Sequence, residues 1–455
     1  MTRSPTIAET LAAEAEAMRP EAVPAEVLAK AVLCLADYLS GAYEARSLPW
    51  SQQAVFRSRG LQRGAACIPL GRFAAPAEAA FANAVAAHGL VREDMHTRSV
   101  AHLGVVVWPA LLADLAQLER PVSGRRLLAA AIAGYQAGAV LGQALMTAEL
   151  ARLFRPTGLV GPVAAATAVS VLRGLTAAQT ASAISLAVNC AAGLNQWPAS
   201  GGSDMYFHAG FAARNGMAAA DLAESGAFAS PDIIEGDAGL FRAFARRRLE
   251  RPIRLFADGG FQILEVFHKQ APACNYAQTP SQAALAARNQ LDGDSSAVVA
   301  IHVATTAAAL LYPGCDATGP FDTVLAAKMS IQFGVAAAVA RGTIDADNYA
   351  DLGDAEIGRL IGATTLAADP ALTAAYPQRQ PAIVTLTLAD GRQVRAGLDD
   401  VIAASPAMVR ERLGRAAAQA LGREQARDLE AFIDALPETA DALALNALQV
   451  PRAHH

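Results

Sequence analysis

The sequence is short of charge and of cysteine, and each shortage excludes a class of protein. Only 17% of its 455 residues are Asp, Glu, Lys or Arg, whereas 53% are hydrophobic. Disordered chains have the opposite balance, so we expect a folded chain with a large core. The net charge of −5 argues against nucleic-acid binding, which needs a concentrated basic surface. The five cysteines are scattered and contain no CxxC pair, which predicts free thiols in a reducing compartment.

Neither a secretion signal nor a membrane span is predicted. Glutamates interrupt the N-terminus at Glu9, Glu14 and Glu16, where a signal peptide has an apolar centre. Two uncharged stretches, 127–148 and 175–203, are long enough to cross a bilayer. Both contain Gln together with Asn or Tyr, and the first is built largely from Ala and Gly, which membrane insertion disfavours. We interpret both as helices buried in a helical core and expect a cytoplasmic protein that binds no membrane.

Helical spacing dominates the sequence up to about residue 257. It predicts helices over 25–43, 76–88 and 105–117, and a further helix that follows Ser123 and runs to about 143. Thr176 is followed three residues later by Gln179, which predicts a capping box at the start of another helix.

The pattern changes after about residue 251. β-branched residues predict a strand over 297–304, and alternation on both sides of Asp390-Gly391 predicts a hairpin over 382–398. Helical segments lie between these strands, and Ala-rich helix returns after residue 399. We predict a mainly α fold with an α+β part, divided into a helical body formed by 1–265 and 402–455 and an α+β domain formed by 266–401.

His88, His96 and His102 lie within fifteen residues of one another, and the last two belong to the most polar segment of the apolar N-terminal half, residues 92–104. Polar groups inside an apolar body need compensation, and a ligand cleft is a common reason for keeping them. A metal site of Asp94, His96 and His102 is one interpretation, but the spacing matches no standard ligand motif. A surface loop with incidental histidines is another. We favour a general acid–base loop at a cleft, with His88 also nearby.

Two further segments carry chemistry-bearing residues. Lys269 lies among apolar residues just before a proline, where it is either a solvated surface charge or a desolvated lysine that binds a carboxylate or transfers a proton. Cys274 has no identifiable partner for a nucleophilic role. Gly158 and Gly161 near a helix start favour either anion binding or close helix packing. The sequence contains no GxGxxG, Walker or GxSxG pattern.

Taken in order, these segments resemble the MmgE/PrpD family, which includes 2-methylcitrate dehydratase, cis-aconitate decarboxylase and iminodisuccinate epimerase. The segment Glu93-Asp94-Met95-His96, followed by Ser99 and His102-Leu103-Gly104, is similar to the family's D-D-x-H-x-x-S-x-x-H-P-G. The resemblance spans roughly residues 25 to 340. Its other motifs are at 31–41, 134–136, 155–158, 208–216, 269–274 and 327–333.

The resemblance implies a large helical domain made from both chain ends, a smaller α+β lid, an active site between them, and homodimers formed through the helical domain. Family members act on small di- and tricarboxylates without a metal or an organic cofactor, so we expect an anionic carboxylate substrate and no cofactor. The catalytic residues implied by the motifs are Asp94, His102 and Lys269. The substrate-binding residues implied are His96, Arg155, Thr157, His208, Cys274 and, from a match outside these motifs, Tyr312.

The sequence also departs from the family's pattern. Val91 stands where an acid is familiar, Met205 replaces a pocket lysine, Gln278 replaces a histidine, and Arg155 stands where a histidine is usual. Val91 and Met205 remove polar groups from the expected pocket, and Gln278 and Arg155 change the polar group there. They favour either a retuned specificity or a paralogue that binds carboxylates without turning them over.

We predict a lyase similar to 2-methylcitrate dehydratase, which eliminates water next to a carboxylate. Such a reaction develops negative charge that fixed cations must stabilise, and Arg155 and Lys269 are suitable cations. His102 or Lys269 would move the proton at carbon, and Asp94 would orient a histidine. The alternatives are an epimerase similar to iminodisuccinate epimerase, a decarboxylase similar to cis-aconitate decarboxylase, and the non-catalytic paralogue.

Overall fold

The structure is a computed structural model that describes residues 3–291 and 295–452. The ends of the predicted helical body, residues 1–2 and 453–455, lie outside the described residues. Helix accounts for 57% of the structure and strand for 9%, which confirms a mainly α fold with an α+β part.

The α-helices are numbered in chain order. They are α1 (Ile7–Ala17), α2 (Ala25–Glu44), α3 (Pro49–Ala54), α4 (Pro76–His88), α5 (Gly104–Leu115), α6 (Gly124–Leu145), α7 (Ala148–Leu153), α8 (Pro156–Arg173), α9 (Ala177–Val188), α10 (Trp197–Ser200), α11 (Asp204–Glu224), α12 (Leu240–Phe244), α13 (Asn275–Arg288), α14 (Ala307–Leu311), α15 (Val324–Met329), α16 (Ile331–Arg341), α17 (Ala355–Gly362), α18 (Pro370–Ala375), α19 (Pro406–Leu421), α20 (Arg423–Ala435) and α21 (Ala444–Leu448). The strands are β1 (Ala65–Cys67), β2 (Arg72–Ala74), β3 (Met95–His96), β4 (Val266–Phe267), β5 (Val298–Thr305), β6 (Thr364–Ala368), β7 (Ala382–Leu388) and β8 (Gln393–Leu398).

Side-chain caps define where several helices begin. The Ser123 hydroxyl accepts from the backbone N–H of Arg126 at the start of α6. The Thr176 side chain and Gln179 form the predicted capping box at the start of α9. Small residues then let the helices pack closely, because a Cβ on Gly216 of α11 would lie only 2.4 Å from the Ala165 Cβ of α8.

Helix α6 is long and apolar enough to cross a membrane by length and composition alone. However, 83% of its most apolar window is buried inside the protein. It packs against α8 and α2 and so behaves as a core helix of a soluble protein does, as the composition of 127–148 predicts.

The C-terminal segment returns to the N-terminal helices. Helix α19 packs against α2, and the backbone N–H of Ala442 donates to the Val122 carbonyl at 2.7 Å. Residues far apart in the chain therefore share one hydrophobic core. The exact domain boundaries at 265 and 402 stay a prediction.

The α+β part contains a four-stranded sheet in the order β6-β5-β7-β8. Strands β5 and β6 are parallel, and β7 pairs antiparallel with both β5 and β8. Alternate residues of β7 are buried (Val384, Leu386, Leu388), and Gly391 has a φ of +85° in the turn before β8. The predicted strand and hairpin are confirmed.

One predicted helix is shorter than expected. The uncharged stretch 175–203 is not a single buried helix, because α9 ends at Val188 and residues 189–196 form irregular chain and turns. Gly193 has a φ of +108°, a conformation that does not continue a helix. Short strands also occur outside the four-stranded sheet, where β1 pairs with β2 and β3 pairs with β4.

Candidate active site

Two segments that are polar in the sequence meet in the structure. Strand β3 pairs antiparallel with β4, with Met95 opposite Phe267 and His96 opposite Val266. This pairing brings residues 92–104 beside residues 266–278. The sequence predicts polar sites in both segments, and the strand pair places them next to each other.

A buried carboxylate lies at the centre of this junction. One oxygen of Glu93, Oε1, lies 3.1 Å from His88 Nδ1, 3.2 Å from His102 Nδ1 and 3.4 Å from Lys269 Nζ. The lysine ammonium also donates to the carbonyl of Val91 at 3.0 Å. Lys269 has no exposed surface and the other three side chains are almost fully buried, so these charges compensate one another away from water.

Electrostatics keep Glu93 ionised. Burial alone would raise the pKa of its carboxyl group, but the charge of Lys269, together with His88 and His102, holds that pKa well below its usual range. The Glu93 carboxylate and the Lys269 ammonium therefore form a neutral buried pair.

The two histidines beside this pair are neutral. Burial lowers the pKa of His102 well below 6.5, and the positive charges of Lys269 and Arg155 lower it further. Burial also lowers the pKa of His88. His102 Nδ1 lies 2.8 Å from the backbone carbonyl of Asp94. Because a carbonyl only accepts, Nδ1 carries the proton and Nε2 is the basic nitrogen.

Arg155 provides a second buried cation. It immediately precedes α8, and its backbone N–H donates to Gly193. Its Nη1 donates to the Tyr312 hydroxyl at 3.0 Å, and its Nη2 donates to His88 Nε2 at 3.1 Å. Its Nε is buried and has no hydrogen-bond partner among the described residues.

A small, partly enclosed cavity of about 20 Å³ lies against these groups, which is room for roughly one water molecule. His102, Arg155, Lys269, Cys274 and Tyr312 all contribute to its lining. Five of the nine predicted site residues therefore surround one cavity. The rest of the lining is mostly apolar and includes Val91, Met95, Trp197, Met205 and Met329, but Asn275 and Tyr276 also belong to it. A substrate enters only if some of these side chains move.

Four predicted site residues are not part of the cavity lining. The Asp94 carboxylate accepts from Tyr135 Oη at 2.5 Å and from the backbone N–H of Gly104 at 3.0 Å. The group of Asp94 that contacts His102 is its backbone carbonyl, and the role of the carboxylate in orienting a histidine stays a prediction. The Thr157 hydroxyl accepts from the backbone N–H of His102 at 3.0 Å and so also positions this histidine.

His96 and His208 make other contacts. His96 contacts Ser99 at 2.8 Å and Gln262 at 3.2 Å, and burial lowers its pKa to about 4. His208 Nε2 lies 3.9 Å from Asp204. Asp94, His96 and His102 therefore do not converge as metal ligands. No group of three or more His, Cys, Asp or Glu side chains within 3–291 and 295–452 is placed to hold a metal ion.

The predicted site residues leave out two members of the cluster, Glu93 and His88. Glu93 is adjacent to the predicted Asp94, and the acidic pair was the available signal. His88 belongs to the same histidine group, but its contact with Arg155 joins residues 67 positions apart. The sulfur of Cys274 lies 3.6 Å from that of Cys315. Cys315 is also buried, and no sequence motif indicates that these two thiols are neighbours.

The fold and the site together define a class of protein. It is a helical protein with an α+β part, in which an enclosed acid–base cluster lies where the two parts meet and is suited to proton transfer on a small anion.

The chain belongs to the MmgE/PrpD family. The family's N-terminal domain matches residues 9–251, and its C-terminal domain matches residues 271–430. A cis-aconitate decarboxylase of Aspergillus terreus is 30% identical over 225 residues, which are 48% of this chain and 46% of the relative. A cis-aconitate decarboxylase-like protein, oryM of Aspergillus oryzae, is 32% identical over 217 residues, 46% of this chain and 45% of the relative. The chain thus matches about half the length of these curated relatives.

Proposed function

We propose that this protein is a lyase that eliminates water from a small hydroxy acid, at the carbon next to a carboxylate. The observation that carries the proposal is the presence of three complementary side chains around one small cavity. They are His102, Lys269 and Arg155, and His102 is neutral with its proton on Nδ1. Membership of the family and the lyase names of the curated relatives support the general reaction class. The expectation that no cofactor is needed is part of this proposal.

Each group has a separate role in the reaction. Arg155 and the Tyr312 hydroxyl bind the carboxylate that is retained and stabilise the negative charge that develops on it. His102 Nε2 removes the proton from the carbon next to this carboxylate. The electron pair forms the carbon–carbon double bond, and the carbon–oxygen bond to the hydroxyl breaks. Lys269 protonates the departing oxygen, which leaves as water, and the proton on His102 then returns to the lysine.

Loss of CO2 is the second reaction that a specific observation favours. The curated relatives are named as cis-aconitate decarboxylases, and apolar side chains such as Val91 and Met205 lie beside the cations. In that reaction the carbon–carbon bond breaks, and the electron pair moves toward the carboxylate on Arg155. Lys269 supplies the proton for the new carbon–hydrogen bond. This route needs no base. Replacing His102 should therefore slow the elimination of water and leave the loss of CO2 unaffected.

Proton NMR in D2O tests the proposal. The purified protein would be incubated with 3-hydroxybutanoate, malate, citrate, 2-methylcitrate, cis-aconitate and iminodisuccinate. Vinyl signals from a hydroxy acid are expected, and His102→Gln should slow their appearance by about 10²–10⁴-fold. His302→Gln is the matched control, because His302 is an exposed histidine on β5.

Other results would contradict water elimination. Release of CO2 that is unaffected by His102→Gln would support the decarboxylase. Deuterium uptake without a vinyl signal would support an epimerase. Turnover that survives both His102→Gln and Lys269→Met would place the chemistry outside this cavity.

We also propose that the protein acts in the cytoplasm as a homodimer that associates through its helical part. The resemblance to the family is the support for the dimer. Light scattering after size-exclusion chromatography tests it, and a mass near 47 kDa would contradict it.

A further inference from the structure

The cavity carries two positive charges, and one of them is already neutralised. Among the described residues, the cationic side chains in its lining are Arg155 and Lys269. Lys269 Nζ lies 3.4 Å from the ionised Glu93 and donates to a backbone carbonyl. His102 contributes no charge, because burial and the nearby cations keep it neutral. The net charge facing a ligand is therefore about +1.

Neighbouring cations do not change this count. Lys328 is almost fully buried, but its Nζ donates to the carbonyl of Leu90 at 2.9 Å and it is not part of the cavity lining. Arg92 pairs with Glu44 at 2.7 Å. Arg155 is therefore the cation available to a ligand. Its buried Nε lacks a partner among the described residues, and such a buried donor is costly unless a ligand satisfies it.

The wall beside Arg155 is mainly apolar. Asn275 and Tyr276 also line the cavity, but the Asn275 amide donates to Gln380 Oε1 at 2.7 Å and the Tyr276 hydroxyl lies 2.9 Å from that of Tyr376. The Met205 sulfur lies 3.8 Å from Arg155 Nη2, and Val91, Met95 and Met329 also line the cavity. A second carboxylate placed against these side chains would be desolvated without a partner, which is strongly unfavourable. Methionine side chains are flexible and can rearrange around an apolar group of irregular shape. The same wall therefore favours an uncharged, apolar substituent.

We infer that the substrate class is a β-hydroxy monocarboxylate with a short apolar arm, and that Met205 determines specificity against a second carboxylate. This inference rests on the proposed function and deepens it. The single carboxylate pairs with Arg155 and Tyr312, the hydroxyl departs from the carbon beyond, and the apolar arm packs on Met205 and its neighbours.

A series of ligands that differ in carboxylate number tests the inference. 3-Hydroxybutanoate, malate and citrate carry one, two and three carboxylates, and each has a hydroxyl β to a carboxylate. Isothermal titration calorimetry with the full chain should show 3-hydroxybutanoate binding at least ~30-fold more tightly than malate, and malate more tightly than citrate, since an unpaired buried charge costs this much or more.

Two variants examine the charge count directly. Arg155→Met should weaken 3-hydroxybutanoate binding by at least ~30-fold, because it removes the cation available to the ligand. Met205→Lys adds a cation next to Arg155 and should shift the preference toward malate. Circular dichroism and thermal melting of each variant establish that it is folded before its binding is compared.

The outcomes separate this inference from the proposed function. Tighter binding of malate or citrate by the wild type would overturn the inference, and so would failure to bind all three ligands at millimolar concentration. Elimination of water from malate or citrate would leave the proposed function standing while this inference fails. Selective binding of 3-hydroxybutanoate without turnover would support the inference and contradict the proposed function.

Discussion

Replacing Glu93 with glutamine should destabilise the fold strongly, because it leaves the Lys269 charge buried without a counter-charge. The carboxylate and the ammonium are 3.4 Å apart, and Lys269 has no exposed surface. At an effective dielectric constant of about 20, this separation corresponds to a Coulomb energy of about 5 kcal/mol. Breaking one side of a buried ion pair typically costs about 3–5 kcal/mol. We expect Glu93→Gln to lower the free energy of unfolding by that amount.

A double variant distinguishes loss of the pair from loss of packing. Glu93→Gln combined with Lys269→Met removes both charges, and replacing a buried pair with uncharged groups is often close to neutral. The double variant should therefore be more stable than Glu93→Gln alone. Glu356→Gln is the matched control, since its pair with Arg359 is partly exposed and should contribute less than about 1 kcal/mol.

Urea unfolding measures these differences, followed by both circular dichroism and tryptophan fluorescence. Coincident transitions would justify a single free energy for each variant. A loss of less than about 1 kcal/mol for Glu93→Gln would refute the reasoning, since that is the size of an exposed pair. A double variant no more stable than Glu93→Gln alone would also refute it.

Two further predictions concern packing and pH. Gly104→Ala should destabilise the protein by about 1–3 kcal/mol, because its Cβ would lie 2.5 Å from Asp94 Oδ2. Gly358→Ala should stabilise it by about 0.5–1 kcal/mol, because no atom lies within 4 Å of that Cβ in helix α17. Thermal melting measures both, and equal effects would contradict the contact argument. Stability should also fall as pH drops below about 6.5. The pKa of His102 is lowered on folding, so the unfolded chain binds more protons there. His102→Gln should flatten this dependence, and an unchanged pH profile would contradict it.

Most of the fold follows from local signals in the sequence. The cap at Ser123, the capping box at Thr176 and the turn at Asp390-Gly391 each act within a few residues, so their effects can be predicted from short segments. The stretch 175–203 was predicted less well. Its lack of charge indicates burial, but burial does not require helix, and the chain leaves the helical conformation after Val188.

The sequence indicates which segments form the site, but it does not indicate which of their side chains contact one another. Polar residues in an apolar context indicated residues 92–104 and 266–278, and strands β3 and β4 bring them together. Glu93 and Asp94 are adjacent, yet only Glu93 contacts Lys269, because Tyr135 and the Gly104 backbone bind the Asp94 carboxylate. These partners come from other elements, so the sequence pattern of the acidic pair cannot distinguish its two members.

The proposed elimination of water requires a neutral His102 that is protonated on Nδ1 and whose Nε2 acts as the base. ¹⁵N NMR of the histidine-labelled protein tests this claim most directly, with His102→Gln to assign the signal. We expect a neutral imidazole in the Nδ1–H form from pH 7.5 down to about 6, below the usual pKa of histidine near 6.5. An imidazolium signal in this range, or the Nε2–H form, would contradict it.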